Sequence, residues 1–381
     1  MARTVTWDEL RTLAGFQAER GCAISLYLNL DPSVSPTAGD AAVRLNSLLD
    51  EAAKSDGANA RDLSHDERQA LRSDFDRIRE YYAQEFNRDG AHGLAVFSAS
   101  LDNIWRTLPL TEAVPDEIKV DRRLYLAPLV PLVGRGEGAL VVVVGREQGR
   151  FYRLRAGRLE ELTDISEEQP RRHDQGGWSQ ARFQRHVDNL ASEHLREVAE
   201  ELDRVVRRAH GGVRVVVMSS EETWGEFSGF LSQEVEAALA GWTHAEAHAA
   251  PAELLTLATP VLEEWRANRE KELTERWREE AGRDGRASSG WEKTLEAASD
   301  GRVDVLLFQD GVVREAWRCP ACGRAAAASG TCPLDGTTME QRAEGLDLAV
   351  HQTLVHGGTV WAVRHVRDLD PVDGIGALLR Y

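Results

Sequence analysis

The run Leu140-Val141-Val142-Val143-Val144 constrains this chain more than any other stretch, because five consecutive apolar residues leave no face for water. A strand of that kind is buried on both sides. Val213 to Met218, apolar apart from Arg214, reads as another buried strand. Between the two, Val187, Leu190, Ala191, Leu195, Val198, Leu202, Val205 and Val206 recur every three or four residues. That spacing puts them on one face of a long helix, ended by Gly211-Gly212. Phe151 to Arg158 reads as a hairpin partner of the first run, with Gly157 near the next turn. Glu221 to Ala240 reads as a further helix and Trp242 to Ala247 as a short strand. Strands alternating with helices indicate an α/β layer fold.

The flanking regions are mixed α/β as well. Ala23 to Leu30 alternates like a half-buried strand and stops at Asp31-Pro32, and Leu94 to Phe97 is a second short apolar run. Asp66 to Asn87 carries Leu71, Phe75, Ile78, Tyr81 and Tyr82 near helical spacing, which predicts a surface-packed helix. Leu124 to Val133, broken by Pro128 and Pro131, reads as an extended segment leading out of this region. Beyond Pro260 come a charged helix through Glu280 and a Gly/Ser-rich flexible loop, Gly282 to Gly290. A helix from Trp291 to Ala298, a strand Val303 to Phe308, a cysteine cluster, a helix near Leu346 to His356, and strands around Val360 to Val366 and Ala377 to Tyr381 complete the pattern. At 381 residues the chain exceeds what one core usually serves. The expected domains are 1–134, 135–256 and 257–381.

A hydrophobic fraction of 42% and a charged fraction of 29% are those of a globular protein. No apolar run approaches the roughly 18 to 20 residues that would span a bilayer, and the first ten residues lack an export pattern. Cytoplasmic residence is expected. A net charge of -17 argues against non-specific coating of nucleic acid, which lysine and arginine drive. Charge differs locally: Arg171 to Arg214 holds nine arginines against seven acidic residues. RNA contact is permitted there.

Three of the four cysteines cluster, a pattern of metal binding rather than of a disulfide scaffold. Cys22 reads as a small buried residue. Cys319-Pro320-Ala321-Cys322-Gly323 and Cys332-Pro333-Leu334-Asp335-Gly336 repeat one knuckle form, with Asp335 in the place of a fourth cysteine. Tetrahedral zinc takes four such ligands from paired turns. Cys319, Cys322 and Cys332 are three; Asp335, His351 or His356 is the fourth. With no open position, the metal is expected to be structural.

The other local signal is Arg171-Arg172-His173-Asp174-Gln175-Gly176-Gly177-Trp178-Ser179-Gln180-Ala181-Arg182-Phe183. Adjacent glycines free the backbone to approach a substrate closely, and tryptophan beside arginines suits stacking on bases and phosphate contact. Gly-Gly before a helix is also simply a loop entering it. There is no P-loop, no dinucleotide fingerprint, no HExxH and no GxSxG.

In order along the chain, these pieces resemble the archaeo-eukaryotic release-factor superfamily, in its bacterial branch. Gly176-Gly177-Trp178-Ser179-Gln180-Ala181-Arg182-Phe183 resembles the Gly-Gly-Gln loop and the Arg-Phe that follows it. Gly290 to Phe308 and the ending Asp373-Gly374-Ile375-Gly376-Ala377-Leu378-Leu379-Arg380-Tyr381 are similar to the C-terminal domain, in which archaeal members carry a zinc-binding insertion. The resemblance implies a multidomain α+β chain: a central RNase H-like domain and a ribosomal-protein-like C-terminal α/β domain with a zinc-ribbon insertion at 317–340. It also implies action at the ribosomal A site, with the large subunit, its RNA and peptidyl-tRNA as partners. A translational GTPase is admitted; DNA and membrane are not.

Two departures refine this. No Asn-Ile-Lys-Ser motif is present, Asn103-Ile104 continuing as Trp105-Arg106, so codon-directed termination is not expected. Trp178 replaces the family glutamine, and Gln180 stands two residues later, like the shifted glutamine of the Vms-and-ANKZF type. The resemblance thus implies a codon-independent peptidyl-tRNA hydrolase for ribosome rescue. Gly176, Gly177 and Gln180 are its catalytic tip, and Arg171, Arg172, Trp178, Arg182 and Arg185 its RNA contacts. The alternative is a Pelota-like hibernation or stalling factor that binds without hydrolysis.

Overall fold

The computed structural model describes residues 5, 7–54, 63–133, 139–155, 157–162, 180–209, 213–283 and 285–381, with the backbone alone for 155 and 180–188. By contact the chain divides into two compact units, Met1–Gly134 with Asn268–Tyr381, and Arg135–Ala267.

The first unit begins with helix α1 (Trp7–Ala14), strand β1 (Ala23–Asn29) and helices α2 (Ala38–Lys54) and α3 (His65–Glu80). Strands β2 (Gly93–Ala99), β3 (Ile104–Leu110) and β4 (Glu117–Asp121) follow. They form an antiparallel sheet in the order β3-β2-β1-β4. The alternation in β1 predicts one wet face, yet every residue from Ala23 to Leu28 is buried. The reason is non-local: α2 and α3 pack on β1 while Tyr27 faces a second core. Ser64 caps α3, its hydroxyl accepting from the Glu67 amide in a reciprocal capping box.

The second unit contains β5 (Leu140–Val144), β6 (Gly149–Arg155), β7 (Arg158–Glu161), helix α4 (Gln180–Arg208), β8 (Val215–Ser219), the short helices α5 (Glu221–Phe227) and α6 (Gln233–Ala238), and β9 (Leu239–His244). The sheet order is β7-β6-β5-β8-β9, with β5, β8 and β9 parallel. Both continuous apolar runs are explained by covering on two faces. Leu140, Val142, Val144, Val215 and Val217 pack against Leu195, Val198, Leu202, Phe227 and Val235 of the helices on one side. Val141, Val143, Val216 and Met218 pack against Leu254, Ala258 and Leu262 on the other. Each fully buried Leu or Val contributes about 1.5–3 kcal/mol through removal from water. Leu190, at the margin of the α4 stripe, stays 52% exposed.

One expected helix over Glu221 to Ala240 is two. Ser220 and Ser232 each accept from an amide three residues on, of Thr223 and Val235, so the second serine restarts the helix after the turn Ser228–Phe230. The helix expected from Pro260 begins nine residues earlier: α7 spans Pro251–Gly282 with Pro260 inside it. Leu254, Ala258 and Leu262, four apart and buried on the sheet, carry it through the proline.

The remainder of α7 belongs to the first unit, followed by β10 (Ala287–Ser289), α8 (Trp291–Ser299), β11 (Val303–Gln309), β12 (Ala316–Arg318), β13 (Ala325–Ala326), β14 (Glu340–Arg342), α9 (Gly345–Val355), β15 (Thr359–Val363) and β16 (Ile375–Leu379). A four-stranded sheet runs β10-β16-β11-β15, and a small three-stranded one β13-β12-β14. β10 lies within the stretch expected to be a flexible loop: Ser288 pairs with Ala377, and its carbonyl accepts from Trp277 Nε1 at 2.9 Å. That pairing is distant in sequence, so the Gly/Ser composition could not signal it.

Leu10, Tyr27, Phe97 and Leu108 share one continuous core with Leu295, Leu306, Phe308, Leu348 and Leu354. The segment after β4 joins these parts. Rather than extended, Ala127–Leu132 is a 3-10 turn, and Leu124, Leu126, Leu129 and Val130 are buried. Proline fixes φ near −65°, which suits that turn as well as an extended chain. The Tyr27 hydroxyl donates to the Tyr125 carbonyl, and the Tyr125 amide donates to Ser25 Oγ at 2.9 Å. From the other side, Asp347 Oδ1 accepts from the amides of Leu126 (2.7 Å) and Ala127 (3.1 Å), and His351 Nε2 lies 2.5 Å from the Leu124 carbonyl.

Removing a buried acceptor strands its donors at about 1–3 kcal/mol each. Asp347→Ala is therefore expected to lower unfolding free energy by about 2–4 kcal/mol in urea melts, whereas Asp347→Asn keeps an acceptor oxygen and loses less. Burial raises the Asp347 carboxyl above its ordinary 3.8, against the opposing effects of His351 and the two amides. The native state then holds a proton that the unfolded chain releases, so this group's contribution falls as pH rises above 3.8 toward the raised value. That slope is expected to vanish in Asp347→Asn.

Candidate metal centre

Cys319 and Cys332 open two turns with the same hydrogen-bond plan. In the first, the Cys319 amide donates to Arg324 O at 2.8 Å and the Gly323 amide to Cys319 O at 2.9 Å. In the second, Cys332 donates to Thr337 O at 2.8 Å and Gly336 to Cys332 O at 2.9 Å. Gly323 and Gly336 adopt φ of 80° and 73°, a region that costs glycine nothing. The sequence repeat is thus a backbone repeat, and Asp335 occupies in the second turn the position of Cys322 in the first. β12 leads into the first turn and pairs with β13 beyond it and with β14 beyond the second.

The turns bring Cys319, Cys322, Cys332 and Asp335 together, with all four ligand atoms within 4.8 Å of one another. Cys322 Sγ lies 3.5 Å from Cys332 Sγ, and Cys319 Sγ lies 3.4 Å from Asp335 Oδ2. A tetrahedron with metal–sulfur bonds of about 2.3 Å has sulfur–sulfur edges of about 3.8 Å, so this spacing suits one tetrahedral cation. Three sulfurs and a carboxylate can hold such a metal with no position left over. Cys319 and Cys332 are buried beside Met339, while Cys322 and Asp335 are exposed.

Electrostatics favour the cation. Burial works against the Cys319 thiolate, but amides of Cys322 and Ala321 directed at its sulfur outweigh this and draw its pKa below the ordinary thiol value. The Thr337 amide and hydroxyl hold the Asp335 carboxyl well below the carboxylate range. Burial, together with Cys332, Cys319 and Asp335, pushes Cys322 up to about 12. A positive ion among these groups would reverse that last shift.

The histidines weighed as fourth ligands serve elsewhere. His351 meets Leu124 and Asp347, and His356 Nδ1 lies 2.8 Å from Gln352 O. The residues that hold the turns in place were not singled out from sequence: Gln352 Nε2 donates to Gly323 O at 2.6 Å, Ser299 Oγ accepts from the Ala325 amide at 3.0 Å, and Arg324 pairs with Asp300 at 2.6 Å. Arg342 pairs with Asp121 at the end of β4 at 2.9 Å. None of these has a local signature.

The Gly-Gly region stands differently. Arg171, Arg172, Gly176, Gly177 and Trp178 lie outside the described residues. Gln180, Arg182 and Arg185 fall in the opening turns of α4, whose 29 residues begin at Gln180, and their side chains are likewise outside.

Residues 125–270, the stretch that carries this region, match the model of bacterial archaeo-eukaryotic release factor family 10. The chain is 25% identical over 244 residues to peptide chain release factor subunit 1 of Thermoplasma acidophilum, covering 59% of this chain and 58% of that one. It is also 25% identical over 258 residues to the Archaeoglobus fulgidus protein of the same name, covering 63% of each. The chain is a distant homologue of the archaeal peptide chain release factors. It spans about three-fifths of the length of these two curated relatives, 58% and 63%. Among solved structures, an archaeal translation termination factor aligns over 99% of both chains at 18% identity and a TM-score of 0.26, and a ribosome-bound archaeal Pelota covers 76% of this chain at 16% identity and a TM-score of 0.43. Among the described residues, no helix is long and apolar enough to cross a membrane.

For the metal centre, one equivalent of tetrahedral metal per chain is expected by elemental analysis. Cys332→Ser should lose it and lower the melting temperature, while His356→Gln should retain it. Equal metal content in Cys332→Ser and the parent would contradict the four-ligand assignment.

Proposed function

We propose that this protein is a codon-independent peptidyl-tRNA hydrolase that enters the A site of stalled ribosomes and frees the nascent peptide. The observation that carries the reading is that the release-factor family match spans the segment holding Gly176-Gly177, immediately ahead of the long helix α4. The curated relatives are named as peptide chain release factors. The partners are the large ribosomal subunit, its RNA and peptidyl-tRNA, with room for a translational GTPase.

The chemistry makes modest demands. The ester between peptide and tRNA is already reactive, so the protein has to place one water in line and offer hydrogen bonds to the developing oxyanion. Gly176 and Gly177 let backbone amides approach the ester, and the Gln180 side chain holds the water without acting as a strong base. No titratable residue is needed. Trp178 stacks on RNA bases, and Arg171, Arg172, Arg182 and Arg185 meet phosphates. The metal we assign at Cys319, Cys322, Cys332 and Asp335 is zinc, which pins the two turns and takes no part in hydrolysis.

A second reading has its own support in Trp178, which stands where the family glutamine belongs. It is a Pelota-like factor that occupies the A site of idle or stalled ribosomes and cleaves nothing.

Purified protein added to ribosomes carrying labelled peptidyl-tRNA separates the two. Hydrolysis predicts peptide release that falls about 100-fold or more in Gly177→Ala and Gln180→Ala, the scale of losing an oxyanion donor. Tight binding with no release at any concentration would establish the second reading. Failure to sediment with ribosomes at low salt would sink both.

A further inference from the structure

We propose that Cys322 and Cys332 form an oxidisable thiol pair, which a peroxide converts to a disulfide that opens the ribbon and releases its metal. The inference rests on the four-residue cluster being a metal centre. Cys322 is the exposed cysteine of the cluster, whereas Cys319 and Cys332 are 0% and 2% exposed. An oxidant arriving from solvent therefore meets Cys322 first. The partner sulfur is already beside it, because Cys332 Sγ lies 3.5 Å away across the two turns. Cys319 is engaged on the opposite edge, against Asp335 at 3.4 Å and under the Cys322 amide at 3.5 Å. The fourth donor is a carboxylate oxygen, exposed and harder than the thiolate a fourth cysteine would bring, so the set is less suited to a soft-ligand metal than four sulfurs.

The steps balance. The Cys322 sulfur attacks one peroxide oxygen, the O–O bond breaks, one water leaves, and Cys322 becomes a sulfenic acid. The Cys332 thiolate then attacks the Cys322 sulfur, the S–O bond breaks, and the departing hydroxide takes a proton to leave as a second water. The two thiolates have lost two electrons, solvent has supplied two protons, and one hydrogen peroxide has become two waters. A disulfide offers no thiolate, so two of the four donors are lost together. The first turn also presents Gly323 O to Gln352 of α9, so the change reaches the seam where the two ends of the chain share a core.

The test uses the full-length, metal-loaded protein titrated with hydrogen peroxide, following metal release with a chromophoric chelator and cysteine pairing by peptide mass mapping. One equivalent of peroxide should yield the Cys322–Cys332 linked peptide, release metal in the same proportion, and leave Cys319 open to alkylation. In Cys332→Ser, Cys322 should remain a sulfenic acid that dimedone traps. A Cys319–Cys322 linkage, oxidation of Cys322 past the sulfenic stage with no linkage in the parent protein, or metal retained after the linkage forms would each overturn the proposal. Protein that takes up no metal at all would instead overturn the metal-centre reading, and the pairing mapped in that sample still tests the thiol pair.

Discussion

The first unit depends on the clasp around Leu124 to Ala127. Three amides and two carbonyls in a largely buried stretch of four residues would cost more than the segment's side chains recover if they were left unpaired. All five are met by side chains: the Tyr27 hydroxyl and Ser25 Oγ from β1, and Asp347 and His351, one turn apart, from α9. Because these groups come from opposite ends of the chain, satisfying the segment brings Met1–Gly134 and Asn268–Tyr381 into one unit. Leu124, Leu126, Leu129 and Val130 can then enter the common core. Residues 135–267, inserted between those ends, have cores of their own on both faces of the β5–β8 sheet.

The cysteine turns strengthen the same seam. Arg342 and Arg318 reach Asp121 at the end of β4, the Arg123 guanidinium lies against Gly323, and Gln352, one position beyond His351 on α9, holds the Gly323 carbonyl. Two short turns with hardly any apolar interior cannot hold this position by burial alone. A tetrahedral ion supplies bonds in place of a core, as it does in small metal-dependent modules.

How much of this the sequence disclosed depends on the range of the interactions. Local apolar patterning located β5, β8, α4 and α8, because the continuous run of a doubly covered strand and the three-to-four spacing of a helix face are both written in neighbouring residues. The two knuckles were equally legible, and their equivalence extends to hydrogen bonds that no residue type announces. The clasp was not visible: Asp347 and His351 look like ordinary residues of a helix start, and Pro128 and Pro131 fit an extended segment as well as a 3-10 turn. Pairing of Ser288 with Ala377 escaped for the same reason, as did Gln352 and Ser299 behind the first turn. His351 was weighed as a ligand on its residue type, and only the backbone carbonyl beside it reassigned it.

Function follows the same division between local and distant information. The Gly176-Gly177-Trp178-Ser179-Gln180 stretch lies within residues 125–270, which match a release-factor family model, and the role proposed for it is testable on the ribosome. We propose that the Gly-Gly segment reaches the peptidyl-tRNA ester, which would carry Trp178 to the peptidyl-transferase centre. The most direct measurement places a photoreactive benzoyl-phenylalanine in place of Trp178, irradiates the protein bound to ribosomes with an empty A site, and maps the crosslinked nucleotides. Crosslinks to large-subunit RNA lining the peptidyl-transferase centre are predicted, whether or not the ester is cut. Crosslinks confined to other ribosomal regions, or bound protein that yields none to RNA, would contradict the account.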